Sequence, residues 1–421
     1  MIRLDKLCNW LIIICLAGLL PSIVFIKYLD ELGSFAFLTI ALADCLFNRN
    51  YKRYVPLFVM VGVMLFYLVY TLMFKSYNTT PYVLMDFVLE IKPFLPLLVI
   101  MAIRPVLSAT EKSTIKTICV VNAILVVPIY FLNSYMVEQT VGHLAYCGAA
   151  AFISSLLYLF CSMKPDGSID KQDKLIAMAL LACGLPCMKA KFLAEAVLTL
   201  FFLWIYKPMM FHGFKFQHML VGLLLIGVLL AVTWNKISYY FITGNSGTFN
   251  PSEIQTYARP VLYATAGLII ADYTLLGSGL ASFASYASAA NYSGLYYEYG
   301  IDKVYGLSEV MPDFICDAYY PSLTQFGLIG IILFIVFWRI IYKKLFILYE
   351  QDITKLRYSF IIGTLALFGI LIENTTGTIF SQSHGMVMAS IIGYAYAHEC
   401  IFIAKTNIDK QEHITKYNYG K

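Results

Sequence analysis

An arginine, two lysines and an aspartate carry most of the chemistry this sequence offers. Arg259 stands in "YARPVLYATAGLIIADYTLLGSG", residues 257–279, with Pro260 at the expected start of a short amphipathic helix and a Gly277-Ser278-Gly279 turn after it. Lys189 and Lys191 stand in "CMKAKFLAEAV", a very short turn between two apolar runs. Asp317 stands in "MPDFICDAYYPSLTQFGLIG", which leads directly into another apolar run. Cations held at the edge of apolar segments lose solvation and point to an anionic partner. Arg offers a planar fork for two phosphate oxygens, whereas Lys acts as a point charge. A lipid-linked diphosphate fits such a set. A carboxylate beside it could take the proton from an attacking hydroxyl. The blander alternatives are lysines that snorkel to headgroups and carboxylates that are ordinary solvated loop charges.

The elements that must position these residues are apolar. Of 421 residues, 60% are hydrophobic and 13% charged, more apolar than a soluble core requires. Runs of about 20 apolar residues, enough to cross a hydrocarbon core roughly 30 Å thick, recur along the chain. The pattern predicts an all-α polytopic membrane protein, a single transmembrane domain over 1–421 with about 12 helices. They fall near 7–27, 30–48, 54–74, 81–103, 115–132, 143–163, 174–188, 192–210, 218–235, 323–341, 357–373 and 384–403. The first run is too long for the core of a signal peptide and has no small-residue cleavage site after it. Alternating these spans from a cytoplasmic N-terminus places 22 of the 30 lysines and arginines inside and seven outside, with Lys92 in a span. That is the asymmetry expected of membrane topology. Both termini are then cytoplasmic, and the insertion at 236–322 becomes one large extracytoplasmic loop. Lys189, Lys191, Arg259 and Asp317 share the outer side, where Arg259 is the only arginine. The loop holds 13 of the 32 tyrosines. Its helical pattern of Val261, Leu262, Ala266, Leu268, Ile269 and Ile270, with the glycine turn, predicts a folded cap.

Other ionisable groups widen the candidate set. The outer carboxylates are Glu253, Asp272, Glu298, Asp302, Glu309, Asp313, Asp317 and Glu373, with His143 and His384 near outer span ends. Asp272 reads as a helix terminator. In the fourth span, "MDFVLEIKPFLPLL", Asp86 and Glu90 share a helix face. Ionisable groups inside a membrane face a cavity or a partner. A neutralising pair of Glu90 with Lys92 or with a neighbouring helix, and a substrate contact, both remain open. The segment "FASYASAANYSGLYYEYG" could stack on sugar rings or form an interfacial aromatic belt. Nine of the ten cysteines lie in or beside apolar spans, which gives no disulfide framework and no C-x-x-C metal pattern. No phosphate-loop, zinc or dinucleotide fingerprint appears, which argues against a nucleotide-sugar enzyme or an ATP-driven pump. The net charge of +5 calls for no nucleic-acid partner.

Three stretches carry a family resemblance: "MKAKFLAEAVLTLFFLW", "YARPVLYATAGLIIADYTLLGSGLASF" and "DAYYPSLTQFGLIGIILF". Their order resembles the O-antigen polymerase and O-antigen ligase superfamily of bacterial envelope glycan enzymes. In that family a short basic turn, an arginine-led helix with D-x-x-L-x-G-x-G, and an acid or His-Asn segment occur in this sequence. Here lysines stand where arginine is usual, and the last segment lacks histidine. The resemblance implies a glycosyltransferase C-like membrane fold with a periplasmic loop in the bacterial inner membrane, and no cofactor or metal. Carried onto these positions, Arg259, Lys191 and Lys189 would bind the diphosphate of an undecaprenyl-diphosphate-linked oligosaccharide. Asp317 would be the base, with Arg259 also in the catalytic set. His384, Glu373, Asp86 and Glu90 are further candidates. The missing histidine favours polymerisation of repeat units for O-antigen, capsule or exopolysaccharide over ligation to lipid A-core. Partners would be membrane lipids, a chain-length regulator and a flippase. A lipid-linked glycan flippase or transporter is the rival of another class, which would show repeated halves and polar residues near the midplane.

Overall fold

The computed structural model describes residues 4–19, 28–75, 77–133, 143–206 and 257–419, with 136, 137, 141, 227, 234 and 238 between them. Among these the regular elements are helices, and there is no strand. Before the insertion at 236–322 come α1 Leu4–Ala17, α2 Leu29–Asn48, α3 Val55–Phe74, α4 Thr80–Ile91, α5 Phe94–Ile103, α6 Ala109–Ile129, α7 Leu144–Cys161, α8 Lys171–Ala182 and α9 Ala190–Leu200. The loop contributes α10 Ala258–Asp272 and the short α11 Tyr286–Ala290 and α12 Leu295–Glu298. The last three are α13 Gly327–Tyr349, α14 Arg357–Glu373 and α15 Ser383–Tyr419. Five stretches among the described residues are long and apolar enough to cross a membrane: Tyr51–Phe74, Ala109–Ile129, Leu144–Cys161, Tyr320–Tyr349 and Ser383–Ile408. By length and composition, then, this is an α-helical membrane protein. All of the expected ninth span but 227 and 234, the end of the first, and the early part of the insertion with Glu253 lie outside the described residues.

A helix that is apolar all round must be surrounded by lipid or by protein. Both outcomes occur. The membrane-length stretch ending in α3 is only 22% buried and turns Val59, Phe66 and Met73 outward. The α7 stretch is 89% buried, and its run Gly148, Ala149, Ala150, Ala151 keeps it slim. Small residues allow helices to approach closely where lipid offers no hydrophobic drive to associate. A side chain at Gly148 would come within 2.9 Å of Cys187 Sγ. The same device brings α15 onto α5, since a Cβ on Gly393 would meet Ile100 at 2.9 Å. Helix α15 packs on both α14 and α5.

Three expected spans are built differently. The fourth, expected unbroken over 81–103, is two helices, because Pro93 has no amide hydrogen and its ring clashes with the turn before it. Lys92, left at the break, reaches Asp30 Oδ2 at 2.5 Å and Glu31 Oε1 at 2.8 Å on α2. Its carboxylate partners are therefore on α2 and not Glu90. The seventh remains α-helical only to Ala182 and ends in a single 3-10 turn, Leu185–Cys187, around Pro186. The tenth opens with a 3-10 turn, Tyr320–Phe326, before α13 begins.

Described residues of the 236–322 insertion form a cap with its own core of Val261, Leu262, Ala266, Ile269, Phe283, Leu295, Tyr296 and Ile315. Leu268, expected on the buried face of α10, points outward instead. The glycine turn docks this cap on the bundle. Gly277 and Gly279 hold φ of 78° and 88°, the left-handed region that suits glycine. A Cβ on Gly277 would strike Gly327 N at 2.3 Å. The amide of Gly279 donates to Gln325 O at 3.0 Å, and that of Leu328 to Thr274 O at 2.8 Å. Of the tyrosine-rich segment, Tyr296 is wholly buried and its hydroxyl accepts from Ala284 N at 2.8 Å. Tyr292 donates to Leu307 O at 2.6 Å. These two rings support the cap from within, while Tyr286 and Tyr297 remain exposed.

Candidate functional site

Arg259 lies in the first turn of α10, just before Pro260, whose fixed φ suits a helix start. Its guanidinium forms an ion pair through Nη2 with Asp317 Oδ2. Its Nε donates to the Asp317 carbonyl at 3.2 Å. Both side chains are partly open, at 27% and 35% exposed. One turn along α10, the Tyr263 hydroxyl donates to Thr375 O at 2.9 Å. On the other side of Asp317, the Tyr319 amide donates to Asn374 O at 3.1 Å. The cap helix and the aspartate segment therefore rest on one seat, the connection 374–382 between α14 and α15.

The lysines approach from beneath that seat. Lys191 occupies the first turn of α9, and its ammonium pairs with Glu373 at the end of α14, with both side chains buried. A Cβ on Gly377 would lie 3.4 Å from Lys191 Nζ, so the connection closes over it. Lys189 precedes α9 and brings Nζ to 3.1 Å from His143 Nε2. His143 caps α7, its Nδ1 accepting from Ala145 N at 3.1 Å. A neutral ring has one N–H, so Nε2 accepts from the Lys189 ammonium when the proton is on Nδ1, and Nδ1 accepts from Ala145 N when it is on Nε2.

Electrostatics tie these groups into one field. Loss of solvation and the nearby Lys189, Lys191 and Arg259 charges hold His143 down at about 4, so it is neutral at pH 7. Asp317 is pushed above the ordinary aspartate value by desolvation, against the opposing pull of Arg259, Lys191 and Lys189. The structure thus brings Arg259, Lys189, Lys191, Asp317 and Glu373 together, with His143 beside them. His384 is buried next to this group and stacks on Tyr146 with ring centroids 5.4 Å apart.

Asp86 and Glu90 do not join the constellation. Asp86 Oδ2 accepts from Ala281 N at 2.7 Å and holds the cap loop to α4. Glu90 accepts from the Tyr319 hydroxyl at 2.8 Å, which props the Asp317 segment from below. Both carboxylates are spent on structure. Among the other loop acids, Asp272 ends α10 and accepts from Tyr299 at 2.6 Å, while Glu298, Glu309 and Asp313 are exposed.

Sequence reasoning missed Glu195. It is fully buried one turn below Lys191, and neither of its carboxylate oxygens has a hydrogen-bond partner. Its signal was the four-residue spacing from Lys191 on one helix face. Tyr263 and Asn374 were also missed, because their roles arise from contacts far apart in sequence. Among the described residues no group of three or more His, Cys, Asp or Glu is placed to hold a metal ion. No family model matches the chain, and no curated protein matches it in a sequence search.

Proposed function

We propose that this protein is a membrane glycosyltransferase that polymerises undecaprenyl-diphosphate-linked oligosaccharide repeat units for O-antigen, capsule or exopolysaccharide. On this reading it lies in the bacterial inner membrane with about twelve spans in a glycosyltransferase C-like arrangement. Both termini are cytoplasmic and the cap is periplasmic. The single observation that carries the reading is the partly open Arg259–Asp317 pair, with two lysines grouped beside it where the chain predicts the outer membrane surface.

The chemistry follows from exchange of partners. A diphosphate entering the site competes with Asp317 for the Arg259 fork, since guanidinium binds phosphate and carboxylate in the same planar mode. Lys189 supplies further donors. Asp317, released from Arg259, accepts the proton of the acceptor sugar hydroxyl. The hydroxyl oxygen forms a bond to the anomeric carbon of the donor glycan, and the bond from that carbon to the diphosphate breaks. The diphosphate leaves with the electron pair, and the cations stabilise the charge it gains.

Arg259→Ala tests this directly. Membrane insertion is expected to persist while chain extension falls by on the order of 100-fold or more, leaving single repeat units at the surface. Normal long chains from that variant would remove Arg259 from the reaction. A ligase would be distinguished by long glycan accumulating on the carrier lipid when the protein is absent.

A further inference from the structure

Helices α3, α5 and α13 enclose a groove of about 660 Å³ that the transfer chemistry does not use. Its walls are apolar, with Met60, Leu98, Leu333, Phe334 and Phe337 prominent. Tyr319 and Glu90 line one end, and Lys52, Arg53, Arg104 and Lys344 line the other. On the α13 wall Gly330 and Lys344 are fourteen residues apart, about 21 Å along a helix. That length accommodates one extended acyl chain within a leaflet about 15 Å deep plus its headgroup region.

The charged end lacks its complement. Among the described residues none of these four cations pairs with a carboxylate. Arg104 and Lys344 both lie over the Tyr396 ring, 5.8 and 5.9 Å from its centre. Nε of Arg104 is buried without an acceptor. Arg104 also sits at φ 56°, where glycine would be the unstrained choice, so its side chain is held at the mouth at some backbone cost.

We propose that this groove binds an anionic phospholipid, one acyl chain lying between α3, α5 and α13 and the phosphate held by Arg104 and Lys344. Lys52 and Arg53 complete the rim. A phosphatidylcholine headgroup carries the same phosphate but adds a quaternary cation, which an uncompensated cationic mouth repels. The mouth lies at the far end of α13 from Asp317, so the site stands independently of the glycosyl-transfer reading.

The test uses the full chain in nanodiscs of equal phosphatidylglycerol and phosphatidylcholine, with retained lipid weighed by native mass spectrometry. Wild type is expected to retain phosphatidylglycerol over phosphatidylcholine on the order of tenfold, less as salt rises. Arg104→Gln with Lys344→Gln should abolish the preference, and Arg104→Lys with Lys344→Arg should keep it. Met60→Trp, which fills the groove and leaves the cations, should reduce retention of both lipids. Equal retention of the two lipids by wild type overturns the proposal, and that measurement needs no substitution to fold. Unchanged selectivity in the glutamine variant, or unchanged retention in Met60→Trp, overturns it as well.

Discussion

At the scale of single residues, Asp317 decides most. If it is the base, Asp317→Asn should reduce chain extension by on the order of 100-fold, within the range for a positioned acid or base. Because its pKa is raised, the proton-accepting form is lost at a higher pH than for an ordinary aspartate. A rate profile should therefore fall on acidification with a midpoint above about 3.9. His143 bears on stability, and its shift is downward. Its folded pKa of about 4 lies below the roughly 6.5 of an unfolded chain. As pH falls from about 6.5 toward 4 the unfolded state takes up the proton first, so stability drops over that window. Thermal melts of wild type and His143→Gln should converge at low pH, with wild type losing more. Lys191 and Glu373 form a buried pair. Lys191→Ala leaves a carboxylate uncompensated and should cost about 3–5 kcal/mol, much of it recovered by adding Glu373→Gln. Arg259 and Lys191 could be read from sequence because each broke a local rule of charge placement, and Asp317 because its segment runs directly into an apolar span. Glu195 showed only its four-residue spacing from Lys191, and one buried acid among apolar residues looks the same whether or not it touches a neighbouring helix.

Among the elements, the instructive ones are those where proline or glycine overrode a smooth apolar run. Hydropathy made 81–103 a single span, yet Pro93 splits it and exposes Lys92 to the carboxylates of α2. The period of apolar residues located α10 correctly and misassigned Leu268, because the cap core is narrower than the apolar stripe. Gly277 was legible as a turn, but its contact with Gly327 across some fifty residues was not. Gly277→Ala should destabilise the docked cap by more than about 1 kcal/mol, since the backbone cannot take the left-handed conformation cheaply and the methyl has no room. Limited proteolysis would show it as earlier cleavage within residues 280–313, with the bundle fragments intact.

For the whole molecule, composition was enough to establish the class, and charge asymmetry was enough to predict which ends share a side. Side-to-side placement can be measured with an impermeant thiol reagent on intact cells. Asp313→Cys should label from outside, and Glu350→Cys only after permeabilisation. The native, half-buried Cys316 should label far more slowly than Asp313→Cys, because loss of solvation and the Asp86 and Asp317 charges push its thiol up to about 12. Labelling of both introduced cysteines from the same side would overturn the expected arrangement. What composition could not reveal is the meeting of chain segments from either side of the outer loop, which requires the tertiary packing of α9, α10 and α14.

The seat at 374–382 has a practical corollary for anyone wishing to retune the protein. Tyr263, Tyr319 and Lys191 all bear on that short connection, so lengthening it would misalign several partners at once. The exposed rim around Lys303, Glu309 and Asp313 bears none of those contacts. If the glycosyl-transfer proposal holds, libraries aimed at accepting different sugars should randomise the rim and leave the connection untouched.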